Sequence, residues 1–418
     1  MTFSIYARKV FTVVGPPIAN AYVTCNEGLI KSVSRSKPAG RIVEVDGPLF
    51  PALVNTHTHL EFSDLVEPLG HAGMPFVDWI GEVMKSRRQR EDDQGQAAIK
   101  LGMTESLGHG VGAIGEIATL EPMAVDDIGG LDITCFRELI GFQDASVAAQ
   151  AEIADRHVAD FDVVTKKGPT ADGGSESGDR SVSGILSVPK GSGGPTNQWN
   201  PGLSPHAPYS TNRKIIEKAL TISASKKIPI AMHLAETREE LELLQRHQGP
   251  FLDLLQRMGV WDQGNFPIGT TPLDYLKGFQ RAFRALIIHG NFLSSRELAY
   301  ISEHRQRLKL VFCPRTHQYF QHDTYPLKTI LQLGLPLALG TDSRASNPDL
   351  SIWAEMENVA AMYPEVDPHE ILRMGTIYGA VALGIDDLRG SIEVGKRAEF
   401  MVPNVQGSSS PFLSNLEL

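Results

Sequence analysis

The period of apolar and polar positions changes near residue 50. Before it, short β-branched and aromatic runs (SIYARKVFTVV, AYVTC, RIVEVDG) are broken by Gly and Pro, the pattern of a small antiparallel β unit. After it, continuous apolar runs alternate with stretches whose apolar residues recur at helical spacing. Eight runs read as strands: FPALVNTH, VGAIGEIA, DITCFRELIGF, PGLSPHA, IPIAMHLAE, RALIIHGNF, LKLVFCPRT and PLALGTDS. Helices are expected between them, among others over 212–226, 236–246 and 294–304. Eight such βα units predict an α/β fold, a (β/α)8 barrel of the TIM type. The stretch GSIEVGKRAEFMVP (390–403) returns to the β pattern. The expected organisation is therefore a barrel over 51–389 beside a small β-sandwich domain built from 1–50 plus 390–418. The Gly- and Ser-rich segment 166–199 reads as a flexible insertion between the third and fourth barrel strands.

Composition narrows the function. With 42% hydrophobic and 21% charged residues among 418, this is an ordinary globular chain. The net charge of −10 argues against a nucleic acid polymer, which needs clustered Lys and Arg. A small-molecule substrate is expected instead. Three widely spaced cysteines (Cys25, Cys135, Cys313) indicate neither a disulfide framework nor a Cys-based zinc site, as in a reducing cytosol. No run is apolar enough for a signal peptide or a membrane span, so a cytoplasmic protein is expected.

The histidines carry the chemistry. Strand residues i and i+2 share a face, so His57 and His59 of NTHTHLEF can project together from the end of the first barrel strand. Alone, such a pair reads equally well as hydrogen-bonded polar groups. The other strand ends decide the matter: His206 ends LSPHA, His233 ends IAMH, His289 ends LIIH and Asp342 ends LALGTD. Side chains at the C-terminal ends of parallel barrel strands converge on one mouth, where such folds keep their chemistry. Imidazole nitrogen and carboxylate oxygen suit zinc or iron. A site of His57, His59, His233 and Asp342 leaves room for water, whose pKa a bound cation lowers to roughly 7. Glu236, three residues beyond His233, is the candidate proton carrier if the chain curls over the mouth; the bland alternative is a helix N-terminal carboxylate. His289 is a candidate for stabilising transition-state charge, the alternative being a core histidine.

Three motifs are decoys. GVGAIG (110–115) follows a helix and is itself strand-like, the wrong order for a dinucleotide fingerprint. HLE (59–61) lacks the P-C-x-x-C partner of the small zinc deaminases. PHEIL has Arg373 where H-E-x-x-H needs histidine.

The stretches FPALVNTHTHLEFSDL, SPHAPYS, HLAET, IIHGN, CPRTHQYF, LALGTDSRASNPDLSIWAEM and GSIEVGKRAEF span nearly the whole chain. In this order they resemble the amidohydrolase superfamily, and within it the cytosine deaminase and adenosine-type (S-adenosylhomocysteine, methylthioadenosine, aminodeoxyfutalosine) deaminase branch. The resemblance implies one divalent metal, zinc first with iron or manganese as alternatives, held by His57, His59, His233 and Asp342. It further implies that Glu236 shuttles protons, His289 orients the leaving side and Asp342 takes a proton from the bound water. Binuclear relatives use a carboxylated lysine on the fourth strand; PGLSPHAPYS has none, which implies a mononuclear site with His206 facing the substrate. Ala52 stands where the family usually has glycine, and Glu399 replaces the aspartate of Gly-Lys-x-Ala-Asp. Relatives are commonly dimers, so a homodimer is expected.

The resemblance favours a purine nucleoside with a bulky 5′ group as substrate. MPFVDWIGEVMKSRRQR offers Trp79 to stack on a base and Glu82, Arg87 and Arg88 as polar readers, although its spacing also fits a helix packing Val77, Ile80 and Met84 inward. Arg137, at the third strand end, is another reader, or else a structural partner of Glu138. Rival readings are hydrolysis of a cyclic amide or imidazolone, displacement of chloride from a triazine, and a non-catalytic barrel scaffold, which would have lost its ligands.

Overall fold

The computed structural model describes residues 2–90, 92–120, 130–164, 185–187, 198–403 and 411–416. The N-terminal segment forms β1 (Thr2–Val10), β2 (Ile18–Asn26), β3 (Leu29–Ser34) and β4 (Ile42–Glu44), in sheet order β3-β2-β1-β4. The expected sheet was purely antiparallel, but β4 pairs parallel to β1. The chain leaves β3 at one edge and crosses to the other side of β1, a connection that reverses its direction relative to a hairpin.

The C-terminal segment joins this unit in two ways. Ile30 N–H donates to Lys396 O (2.8 Å) and Ala398 N–H to Gly28 O (2.9 Å), which ties residues 396–398 to the edge of β3. A second sheet pairs β5 (Phe50–Pro51) antiparallel with β15 (Glu399–Met401), whose other neighbour is β9 (Ile185–Ser187). Ile5, Val23, Ile30, Ile392 and Phe400 pack as one core cluster between the two sheets. Of the segment 166–199, only Ile185–Ser187 and residues 198–199 are among the described residues, and the expectation of flexibility lies outside them.

The remaining strands form one eight-stranded parallel sheet: β6 (Leu53–Thr58), β7 (Val111–Ala118), β8 (Asp132–Leu139), β10 (Trp199–Pro205), β11 (Pro229–Leu234), β12 (Arg284–His289), β13 (Leu308–Phe312) and β14 (Leu337–Leu339). Each of the eight apolar runs carries one of them. The expected helices are observed at Arg213–Lys226, Arg238–Arg246 and Ser295–Glu303, each preceded by a capping residue: Asn212, Thr237 and Ser294. Among the described residues, no helix is long and apolar enough to cross a membrane.

Val54, Ala113, Phe136, Ala231, Leu286, Val311 and Ala338 come from seven different strands yet form a single cluster, which only a closed barrel interior allows. β10 contributes Gly202 instead, because a Cβ there would come within 2.6 Å of the Phe136 ring.

The barrel closes between β14 and β6. Thr341 N–H and Asp342 N–H both donate to the carbonyl of His57 (3.1 and 3.0 Å). Asn55 adds a rung, its Nδ2 donating to Thr341 Oγ1 (2.8 Å) and its Oδ1 accepting from Thr341 N–H (3.1 Å). Thr58 Oγ1 donates to Asp342 O (3.0 Å). Gly340 permits the approach, since a Cβ there would lie 2.8 Å from His57 Cβ and 2.9 Å from His57 O. Gly340→Ala is therefore expected to destabilise the protein by about 1–3 kcal/mol, the usual effect of overpacking. Denaturant unfolding measures this, and a midpoint equal to that of the unsubstituted protein would contradict a tight seam.

Candidate active site

The strand-end residues His59, His206, His233, His289 and Asp342 line one cavity, with His57 buried beneath them. A register shift between Asn55 and Thr58 interrupts the alternation that put Val54 inside the barrel, and His57 and His59 emerge with ring centroids 5.0 Å apart. At the ends of β12 and β14 the turn is made by backbone conformation: His289 (φ 66°) and Asp342 (φ 57°) are left-handed, as is Ala235 (φ 53°) after β11. Side chains other than glycine adopt this region at a cost of about 1–3 kcal/mol, and such residues cluster at functional sites.

The donor atoms lie close together. His59 Nε2 is 3.4 Å from His233 Nε2, and Asp342 Oδ1 is 3.7 Å from both His57 Nε2 and His59 Nε2. Four ligands about 2.0–2.2 Å from a common ion in tetrahedral arrangement are separated by roughly 3.3–3.6 Å. The spacing therefore fits one metal ion. So does the chemistry. His57 Nε2, which faces Asp342, is buried without a hydrogen-bond partner, a costly arrangement unless a cation takes its lone pair. His233 Nδ1–H donates to the His206 carbonyl (3.0 Å), which fixes the tautomer that turns the Nε2 lone pair to the cluster. Burial, then neighbouring imidazoles, keep His59 and His233 well below the ordinary histidine range, hence neutral as ligation requires. Burial alone would raise Asp342, but the facing His57, His289 and His59 rings hold it well below the usual carboxylate range.

Glu236 is held above this cluster. After the left-handed Ala235, the backbone N–H groups of Ala235 and Glu236 donate to the two oxygens of Glu240 (2.8 and 3.1 Å), and Asn291 Nδ2 donates to Glu236 O (3.0 Å). The carboxyl of Glu236 then lies 3.3 Å from His289 Nε2, which is 4.0 Å from Asp342 Oδ2. Burial, with Asp342 and Glu240 nearby, pushes Glu236 well above the ordinary range. The curl at Ala235 thus brings Glu236 to the cluster, and His289 contacts both Glu236 and Asp342.

The cavity encloses about 420 Å³. Its floor is polar, with His59, His206, His233, Glu236, His289 and Asp342. One wall is a single stripe of the helix Phe76–Arg88: Phe76, Trp79, Ile80, Val83, Met84 and Arg87. Phe142, Tyr209, Phe251, Leu255 and Met258 form the facing wall. Trp79 and His206 thus stand where a substrate reader would. Glu82, Arg88 and Arg137 do not line the cavity. Glu82 pairs with Lys85 (3.5 Å), and Arg88 is exposed. Arg137 alternates with Phe136 and Glu138 on β8 and so points away from the interior that they face. Ile80 and Met84, which fit a core-packing face by spacing, border the cavity, while Val77 packs with Phe76 and Phe142. Sequence reasoning passed over Phe142 and Tyr209, whose loops carry no periodic signal, Phe251, which lies on the amphipathic helix Pro250–Arg257, and Glu138, whose charge inside an apolar strand was the available clue.

A match to the amidohydrolase family spans residues 49–413. The chain belongs to the amidohydrolase family. It is 24% identical over 410 residues to the 5-methylthioadenosine/S-adenosylhomocysteine deaminase of Moorella thermoacetica, covering 94% of this chain and 83% of that protein. Among solved structures it resembles Helicobacter pylori aminofutalosine deaminase in complex with methylthio-coformycin (TM-score 0.77, 22% identity, 99% of this chain and 95% of that one). It also resembles a Xanthomonas campestris adenosine deaminase with bound zinc (TM-score 0.68, 22% identity, 95% and 83%). The departures at Ala52 and Glu399 lie away from the donors: Ala52 borders Gly112, and Glu399 accepts from Arg389 Nη1 (2.5 Å). This amidohydrolase should carry about one divalent ion per chain by elemental analysis, and His57→Ala or His233→Ala should lose it. Full metal retention in both variants would contradict the four-donor arrangement.

Proposed function

We propose that this chain is a metal-dependent hydrolytic deaminase that releases ammonia from an aminated purine base or nucleoside, with aminodeoxyfutalosine or another adenosine derivative favoured. The observation that carries the reading is the 3.3 Å contact of Glu236 with His289 directly over the three-imidazole and carboxylate cluster. Deaminase names among the relatives, one of them a nucleoside-analogue complex, support the substrate class. His57, His59, His233 and Asp342 would hold the ion, zinc by preference, and when bound it would supply a water acidified to a pKa of roughly 7.

The protein's own groups then divide the proton work. Glu236, which keeps its proton above the ordinary carboxylate range, gives it to the ring nitrogen beside the amino-bearing carbon. Asp342 accepts a proton from the attacking water, whose oxygen forms the new C–O bond. His289, between Glu236 and Asp342, steadies the charge that develops on that oxygen. Protons passed through Glu236 and Asp342 reach the departing amine, which leaves as ammonia as the C–N bond breaks. Trp79 on one wall and Phe142 and Tyr209 on the other offer aromatic faces for the base, and His206 faces the substrate from the floor. In this reading the barrel over 51–389 carries the reaction and the domain of 1–50 with 390–418 braces it.

An ammonia-release screen over aminated purines, pyrimidines, pterins and their nucleosides tests the proposal. A purine nucleoside is expected to give ammonia and the oxo product; ring-opened product or chloride release without ammonia would overturn it. Glu236→Gln is expected to keep the metal and lower kcat by about 10²–10⁴. Turnover equal to that of the unsubstituted enzyme would refute the role of Glu236.

A further inference from the structure

Arg87 of the cavity wall and His206 of its floor come from different elements and meet at one carboxylate that does not itself line the cavity. Arg87 is the last residue of the helical stripe, and His206 follows β10. Between them lies Glu138 of β8. Its Oε2 is 3.6 Å from Arg87 Nη2 and its Oε1 is 3.8 Å from His206 Nε2, with the side chain only 1% exposed. Neither oxygen has a hydrogen-bond partner.

Each reader also has an outer anchor. Arg87 Nη2 donates to Glu61 Oε1 (2.5 Å), and Glu61 Oε2 accepts from Thr119 Oγ1 (2.8 Å). The guanidinium lies over the Phe62 ring, 5.3 Å from its centroid. His206 Nδ1 is 2.6 Å from Ser210 Oγ. Thr119, Glu61, Arg87, Glu138, His206 and Ser210 thus form one line of contacts along the floor, with Glu138 at its centre. A buried carboxylate just beyond bonding distance of the Arg87 guanidinium and the His206 ring is costly unless those contacts shorten in use. Loose contacts around active sites do tighten in the Michaelis complex.

We infer that Glu138 is a positioning residue for substrate recognition, joining Arg87 to His206 so that both present their polar edges to the substrate as one unit. The inference rests on the deaminase reading for the identity of the substrate, a nucleoside whose hydroxyl or ring-nitrogen edge these groups would meet. The ion-pair contacts of Glu138 are with Arg87 and His206, while its interaction with the donor His57 is electrostatic at longer range. Its loss therefore weakens ground-state binding, which raises KM and leaves kcat.

The test compares Glu138→Gln, Glu138→Asp, Arg87→Met and the Glu138→Gln/Arg87→Met pair, using the best nucleoside from the ammonia screen. Glu138→Gln keeps the shape and is expected to raise KM about 10- to 100-fold, as for a lost charged hydrogen bond, with metal content unchanged and kcat within about threefold. Glu138→Asp, which keeps the charge, should recover part of the loss. The pair should be no worse than the poorer single variant, because both act through one contact. An unchanged KM in Glu138→Gln, or losses that multiply in the pair, would overturn the inference. If the unsubstituted enzyme deaminates nothing in the screen, the deaminase reading fails, and the coupling is judged by nitrogen NMR of histidine-labelled protein. The His206 signal, assigned with His206→Asn, should move in both Glu138→Gln and Arg87→Met; a signal unmoved in both would again overturn it.

Discussion

The carbonyl oxygen of His57 accepts two backbone N–H groups from the residues that follow β14, and the rest of the site depends on this closure. Thr58 and Asp342, joined across the same seam, stand 284 positions apart in the chain. Contacts at such separation are made only after the loops between them are ordered, so the site cannot precede the barrel. The histidine pair of the first strand and the aspartate of the last face one another because the sheet has curled through a full turn. Gly340 sits at the point of closest approach, where any larger residue would press on His57 itself. Fold and chemistry are in this sense one constraint.

The assembled donors are mutually repellent. Three imidazoles and a carboxylate meet at the cavity floor with their donor atoms turned toward one another, and left-handed backbone at Ala235, His289 and Asp342 adds strain. The surrounding rigidity is what holds them. His233 is tied to the carbonyl of His206, and Glu240 fastens the turn that lifts Glu236 over the floor. These supports are backbone contacts of strand ends and their first turns, fixed by the packing of the apolar strands beneath. A cation at the centre would convert the repulsion into attraction, which is why the same atoms that look unsatisfied fit a metal.

The strand-end residues were legible because one rule governs them: a continuous apolar run followed by His or Asp puts that residue at the mouth of a parallel barrel. The rule reached His57, His59, His206, His233, His289 and Asp342. It worked less well for Arg137 and Glu138, where two charged neighbours at one strand end point opposite ways and only the phase of the alternation, visible in Phe136, tells which is inside. The stripe of Phe76, Trp79, Ile80, Val83 and Met84 is equally ambiguous from spacing, since a cavity wall and a core demand the same apolar face. The parallel pairing of β4 and the split of FPALVNTH into β5 and β6 depend on crossovers that hydrophobic pattern does not encode.

The cavity separates two kinds of determinant. Its floor is drawn from strand ends that the barrel closure fixes, whereas its walls come from the helix Phe76–Arg88, the loop at Phe142 and the helix Pro250–Arg257 with its cap Met258. Changes in the walls leave the seam and the donor geometry untouched, so a family with this floor can exchange substrates by remodelling loops while keeping its hydrolytic chemistry. Arg87 lies at the border between the two, carried by a wall helix yet braced by Glu61 and Glu138 from the strand side. A group so placed links the rigidity of the barrel to the wall of the cavity. Arg87, held by two carboxylates, is then less free to move than Trp79, whose indole donates through Nε1–H to the carbonyl of Ala345 (3.1 Å) and packs against Phe76 and Phe320.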